Sequence, residues 1–190
     1  MLREFCFYGR GGQGAVTAAQ ILATAAFSEG RYSQTFPKFG MERRGAPLLA
    51  FLRIDDEPIE IRGKIFQADG IVVLDSKLLK ISNPIESLKK EGFLLVNSKK
   101  PPEVIKRELQ QEVKRVFSVD ASTISSLVYG PTSIPITSVI LLGAFAAMTE
   151  EVKLNSLFGV LKKFFRTSQL DSNRKALELG HDQVRCSNGD

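Results

Sequence analysis

The chain has 190 residues, 43% hydrophobic and 25% charged, the balance of one globular domain spanning 1–190 with room for a sizeable core. Its net charge of +5 suits anionic ligands or an acidic partner surface, but the basic residues are scattered and no aromatic–basic platform for nucleic acid emerges. Two cysteines, Cys6 and Cys186, and a single histidine, His181, leave no ligand set for an iron–sulfur cluster or a structural zinc ion.

The first eight residues lack the basic start, long apolar stretch and cleavage site of a secretory signal, which places the chain in the cytoplasm and argues against a disulfide. Glu4–Tyr8 reads as a strand and puts Cys6 in the core. It runs into Gly9, Arg10, Gly11, Gly12, Gln13 and Gly14, and then into a helix from about Gly14 to Ser28 that stops at Gly30. Strand, glycine turn and helix N-terminus form an arrangement whose backbone N–H groups and helix dipole favour an anion. Gly9, Gly11 and Gly14 fit G-x-G-x-x-G in its required setting. A dinucleotide site also wants an acidic residue after the second strand, and Tyr32–Phe39 contains none. Lys38 is the one residue there that could favour a 2′-phosphate. Gln13 places an amide, able to donate and accept, where the helix begins.

Tyr32–Thr35 reads as a short strand, followed by a loop over Phe36–Pro47 in which Phe36, Phe39, Glu42, Arg43 and Arg44 lie among glycines and prolines. Aromatics with arginines dominate interface energetics, and paired arginines grip carboxylate or phosphate. Leu48–Ile54 and Ile59–Arg62 read as a hairpin turned at Asp55-Asp56-Glu57-Pro58. Apolar strands follow at Ile71–Leu74, Phe93–Val96 and Val116–Val119, ending at Asp75, Asn97 and Asp120. Those three residues sit either at a ligand crevice or at helix N-caps, with capping the better reading for Asp120. Short helices are expected at Glu86–Lys90 and Glu103–Lys114, and longer ones at about 121–129, 136–149, 153–166 and 171–184. The longest apolar run, Val139–Met148, is too short to span a bilayer, so no membrane association is expected. The pattern predicts an α/β, Rossmann-like, mainly parallel sheet with helices on both faces, an antiparallel hairpin and a helical C-terminal region. No nucleophile–base pair is apparent, so acid–base or covalent catalysis by this chain alone is hard to write.

The two signals together, Gly9-Arg10-Gly11-Gly12-Gln13-Gly14 and Phe36–Pro47 with its Glu42-Arg43-Arg44-Gly45-Ala46-Pro47 block, resemble the gamma subunit of pyruvate and other 2-oxoacid:ferredoxin oxidoreductases. The likeness continues through Phe51–Ile54, Val72–Asp75, Val119-Asp120-Ala121 and Leu142-Gly143-Ala144 to the tail near Gly180, and the second block favours the pyruvate/2-ketoisovalerate branch. Ser138 departs from the pattern, in which asparagine is common ahead of the Leu-Gly-Ala helix. The resemblance implies a complex that decarboxylates a 2-oxoacid oxidatively, transfers the acyl group to coenzyme A and passes electrons to ferredoxin. Thiamine diphosphate, with Mg, would belong to alpha and beta subunits and the iron–sulfur clusters mostly to a delta subunit. This chain would bind no cofactor alone, would be inactive in isolation, and would pack against the catalytic subunits, with its glycine loop toward coenzyme A or a neighbouring subunit. The alternatives are a stand-alone Rossmann-type NAD(P)- or nucleotide-binding protein and a purely structural adaptor.

Overall fold

The computed structural model describes residues 1–38, 46–109 and 111–187. Among them, strands β1 (Arg3–Arg10), β2 (Tyr32–Lys38), β3 (Pro47–Asp55), β4 (Ala68–Val73), β5 (Leu88–Asn97), β6 (Arg115–Val119) and β7 (Arg185–Cys186) form one sheet in the order β2-β3-β1-β4-β5-β6-β7. β1, β4, β5 and β6 run parallel, while β3 on β1, β2 on β3 and β7 on β6 are antiparallel. The central strands are apolar at successive positions because both faces are covered. Phe5, Phe7, Val72, Phe93 and Leu95 face one core layer, and Cys6, Ile71, Val73, Leu94 and Val96 face the other.

The first layer packs under α1 (Ala15–Ser28), α4 (Ala121–Tyr129), α5 (Ser138–Met148), α6 (Leu154–Val160) and α7 (Leu170–Gln183). Its aromatic centre is Phe145, edge-on to Phe5 at 5.2 Å and to Phe93 at 6.0 Å. Six buried alanines let α1 lie close to the sheet, and α1 ends in a Schellman turn: Gly30, at φ 85°, donates to Phe27 O, and Arg31 N donates to Ala26 O. α5 and α7 touch backbone to backbone. A Cβ on Gly143 would fall on the Leu177 carbonyl oxygen, and one on Gly180 on that of Ile140. The second layer packs under α2 (Leu78–Ile81) and α3 (Pro102–Glu108).

Arg53, on β3, is 2% exposed. Its Nε donates to Glu4 Oε1 at 2.9 Å, its Nη1 reaches Gln34 Oε1 at 3.2 Å and the Ile61 carbonyl at 3.3 Å, and its guanidinium lies 5.4 Å from the Phe36 ring centroid. A charge this deep is stable only with such a complete set of partners.

Several boundaries differ from the sequence reading. Ile59–Arg62 is not a strand, because both edges of β3 are already taken by β1 and β2; the antiparallel hairpin is β2–β3. Strand β2 extends through Phe36 and Pro37 to Lys38, residues read as loop, with Pro37 tolerated on an outermost strand. Glu86–Lys90 is not a helix: Pro84–Ser87 makes a 3₁₀ turn and β5 starts at Leu88, where Lys89 pairs with Asp69 at 3.0 Å. α3 stops at Glu108 with Leu109 extended, and Val113 is buried in the second layer before β6 begins. The helix read over 153–166 divides into α6 and a 3₁₀ turn at Leu161–Lys163. The two-residue β7 after α7 was not anticipated.

Candidate functional site

The carboxyl ends of the parallel strands converge on the glycine loop. At the end of β1, Gln13 N donates to Arg10 O at 3.0 Å, and the Arg10 N–H donates to Gln13 Oε1 at 2.8 Å. The Gln13 carboxamide oxygen thus accepts from the loop itself, and its NH₂ is left without a hydrogen-bond partner among the described residues, so the dual donor–acceptor role expected from sequence shifts toward that of a donor. Gly12 (φ 93°) and Gly14 (φ 83°) flank Gln13, whose own φ is negative. Alternation of this kind turns successive N–H groups to one side and makes an anion-binding concavity. Gly14 is the N-cap of α1 and supplies no side chain, so the first turn of that helix presents bare backbone donors. Gly9 lies where a Cβ would come 3.0 Å from the Ala15 Cβ, so the missing side chain admits the helix start.

The loop is braced from three directions. Arg10 Nε forms an ion pair with Asp75 Oδ2 at 2.6 Å, across to the end of β4. Asp75 Oδ1 accepts the Lys77 N–H at 3.0 Å, so this carboxylate is occupied as a brace. Gly11 N donates to Ala46 O at 3.1 Å, which brings the two sequence signals into contact. From the side, the segment before α5 leans in. A Cβ on Gly12 would sit 3.6 Å from Ile134 Cδ1, and one on Gly14 would sit 2.7 Å from Ser138 Oγ. Thr137, beside it, has a buried hydroxyl without a hydrogen-bond partner among the described residues. Ile134, Thr137 and Ser138 come to the loop by long-range packing; only the departure at Ser138 pointed to that segment.

Asn97 and Asp120, at the ends of β5 and β6, are engaged structurally. Asn97 Nδ2 donates to Leu74 O at 2.9 Å and to Ser122 Oγ at 3.1 Å, and its Oδ1 accepts Ser122 N at 3.3 Å. Asp120 Oδ1 accepts Thr123 N at 3.1 Å and caps α4 as expected. Phe36 packs its ring 5.1 Å from that of Phe51, in the second core layer. Phe39, Glu42, Arg43 and Arg44 lie outside the described residues.

The Cys6 thiol is held in its neutral form by burial, which pushes its pKa up to about 12 from 9.0, with the Glu4 carboxylate adding to the effect. Cys186 is exposed. A thiol reagent is therefore expected to modify Cys186 in the native protein and Cys6 only after unfolding, as thiol counting before and after denaturant would show. Because the native Cys6 keeps its proton while the unfolded one releases it near pH 9, this group favours folding below pH 9 and loses that contribution as pH rises toward 12. Among the described residues, no group of three or more His, Cys, Asp and Glu could hold a metal ion, and no helix is long and apolar enough to cross a membrane.

A glycine cradle of this build, followed by a braced crevice and an antiparallel β2–β3 flank, invites comparison with known proteins. The family model for pyruvate ferredoxin/flavodoxin oxidoreductase matches residues 4–183. The chain belongs to this family. Among curated relatives, it is 44% identical over 181 residues to the "Pyruvate/ketoisovalerate oxidoreductases common subunit gamma" of Pyrococcus furiosus, covering 95% of this chain and 96% of that one. It is 41% identical over 184 residues to "Pyruvate synthase subunit PorC" of Methanothermobacter marburgensis, covering 97% and 98%. Among solved structures, the pyruvate oxidoreductase subunit PORC of Thermotoga maritima superposes with a TM-score of 0.84 at 35% identity over 98% of this chain and 99% of that one. These family members are subunits of an oxidoreductase complex, and the matches lend nothing to a stand-alone NAD(P)- or nucleotide-binding protein.

Proposed function

We propose that the chain is the gamma subunit of a 2-oxoacid:ferredoxin oxidoreductase, with pyruvate as the leading substrate, acting as one gamma-type domain in a cytoplasmic complex with alpha, beta and delta subunits. The observation that carries this reading is near end-to-end identity of 44% and 46% to two relatives named as a gamma subunit common to pyruvate and ketoisovalerate oxidoreductases. The complex would oxidise and decarboxylate the 2-oxoacid, form the acyl-CoA and reduce ferredoxin, using thiamine diphosphate, Mg and iron–sulfur clusters on the other subunits.

In this reading the chain's own contribution is positional. The N–H groups of Gly12 and Gly14 and the NH₂ of Gln13 present hydrogen-bond donors to an anionic group, the Gly11 N–H being engaged by Ala46 O, and a phosphate of coenzyme A is the group best suited to them. The donor set fits such a group: the loop offers backbone N–H donors, and among the described residues the carboxylate beside it, Asp75, is neutralised by Arg10. Phe36, Phe39, Glu42, Arg43 and Arg44 supply the contact to a neighbouring subunit or to the same anion.

A tagged chain purified from its native cell is expected to bring down thiamine-dependent and iron–sulfur partners and to carry CoA-dependent pyruvate oxidation with ferredoxin as acceptor. Recovery of the chain alone would refute the assignment. In the assembled complex, Gly14→Ala puts a Cβ at φ 83° and against Ser138 Oγ, and is expected to raise the KM for coenzyme A while the KM for the 2-oxoacid holds. An unchanged KM for coenzyme A would remove the loop from its binding.

A further inference from the structure

On the face of the sheet opposite α1, a cavity of about 620 Å³ opens between α2 and α3. We propose that it binds an amphipathic organic anion: a phosphate, sulfonate or carboxylate head on an apolar body. The volume falls in the range of about 300–1,000 Å³ typical of small-molecule sites.

The lining has two parts with different chemistry. The floor is apolar: Leu79 and Leu109 leave part of their surface open to the cavity, packed over Val96 of β5, Ile85 of the 3₁₀ turn and Ile105 of α3, which are buried in the second core layer. The rim is cationic, with Lys77 and Lys80 on one side and Lys100 on the other. Lys100 Nζ is tied to Glu108, at 2.6 and 2.8 Å from its two carboxylate oxygens. That clasp consumes one ammonium and the carboxylate that lines the cavity. Among the described residues, Lys77 and Lys80 form no salt bridge. Lys80 also lies within electrostatic reach of Glu108, so one carboxylate is shared between two of the three lining ammoniums and the rim keeps an excess of positive charge above an apolar floor.

A free inorganic anion would satisfy the lysines and leave the floor wet. A neutral apolar molecule would cover the floor and gain nothing from the charges. Only a ligand carrying both parts uses the whole lining. Lysine ammoniums are compact point charges and accept phosphate, sulfonate or carboxylate without the planar matching that arginine demands. The site is separate from the glycine loop: it lies in the other core layer and shares only the turn in which Asp75 accepts the Lys77 N–H.

The test uses the purified full chain with 8-anilinonaphthalene-1-sulfonate as the probe. Fluorescence titration is expected to show saturable binding of one probe per chain. Methyl NMR is expected to show shifts at Ile85, Val96 and Ile105, with Val139 and Ile140 of the opposite layer unmoved. The double variant Lys77→Met, Lys80→Met keeps the apolar stems and removes the charges at exposed positions, and should weaken binding about five-fold or more. Non-saturating binding, methyl shifts elsewhere, or an affinity unchanged in the double variant would each overturn the proposal; the methyl shifts of the unmodified chain decide it even if that variant folds poorly.

Discussion

Gly180→Ala and Gly143→Ala are each expected to lower the melting temperature by roughly 4–8 °C, although alanine is the better helix former. Taken alone, the propensity gain is about 1 kcal/mol. Against it stands the geometry of the α5–α7 crossing. The added methyl on residue 180 would overlap the Ile140 carbonyl, and the one on residue 143 the Leu177 carbonyl. A backbone atom cannot swing aside as a flexible side chain can. The helices must separate, and Ile140, Leu142, Ala144, Ala176 and Leu177, all fully buried at 0% exposure, lose packing together. Overpacking of this kind costs about 3 kcal/mol and outweighs the propensity term. Differential scanning calorimetry of both variants checks it; a melting temperature that held or rose would show that α5 and α7 do not meet at these glycines.

Arg53→Met is expected to destabilise the chain by about 2–3 kcal/mol, less than the cost of stranding a fully buried ion because the Glu4 side chain keeps 19% of its surface exposed. The thioether fills much of the space beside Phe36 but cannot answer Glu4, whose partly buried carboxylate then loses its paired cation. Gln34 and the Ile61 carbonyl lose their donor in the same step. The double variant Glu4→Leu, Arg53→Met should recover most of the loss, because replacing both partners by apolar groups removes the stranded charge. Urea denaturation of the two single variants and the double one closes the cycle. Additive losses would mean that Glu4 and Arg53 are energetically independent.

The sequence carried the local features of this fold well, for physical reasons. Asp120 stands at a strand end with the side-chain chemistry of an N-cap and does cap α4; Gly30 follows α1 and adopts the positive φ that its position demands. Apolar residues at successive strand positions signalled a sheet covered on both faces, and the two core layers match that signal. Features set by distant partners stayed hidden. Arg53 sits in an apolar strand, and nothing local distinguishes it from an exposed alternating position; its partners lie on β1, on β2 and in the segment after β3. Ile59–Arg62 has strand composition, yet β3 has no edge to offer it. Gln13 looked free because the hydrogen bond that occupies its oxygen comes from a backbone N–H three residues earlier in a turn. The leaning of Ile134 and Ser138 onto the glycine loop, and the cavity between α2 and α3, depend on tertiary packing and have no signature along the chain. The position of the loop itself was legible, because strand, glycines and helix follow one another without interruption.

The two margins of the sheet constrain how such a subunit can be joined to others. One margin is β2, where Pro37 offers no N–H to a newcomer; the other is β7, only two residues long. Both are poor templates for continuing the ladder into another polypeptide. Assembly is then favoured through side chains and loops, whose chemistry differs from protein to protein, and stray polymerisation through the backbone is discouraged by the same feature.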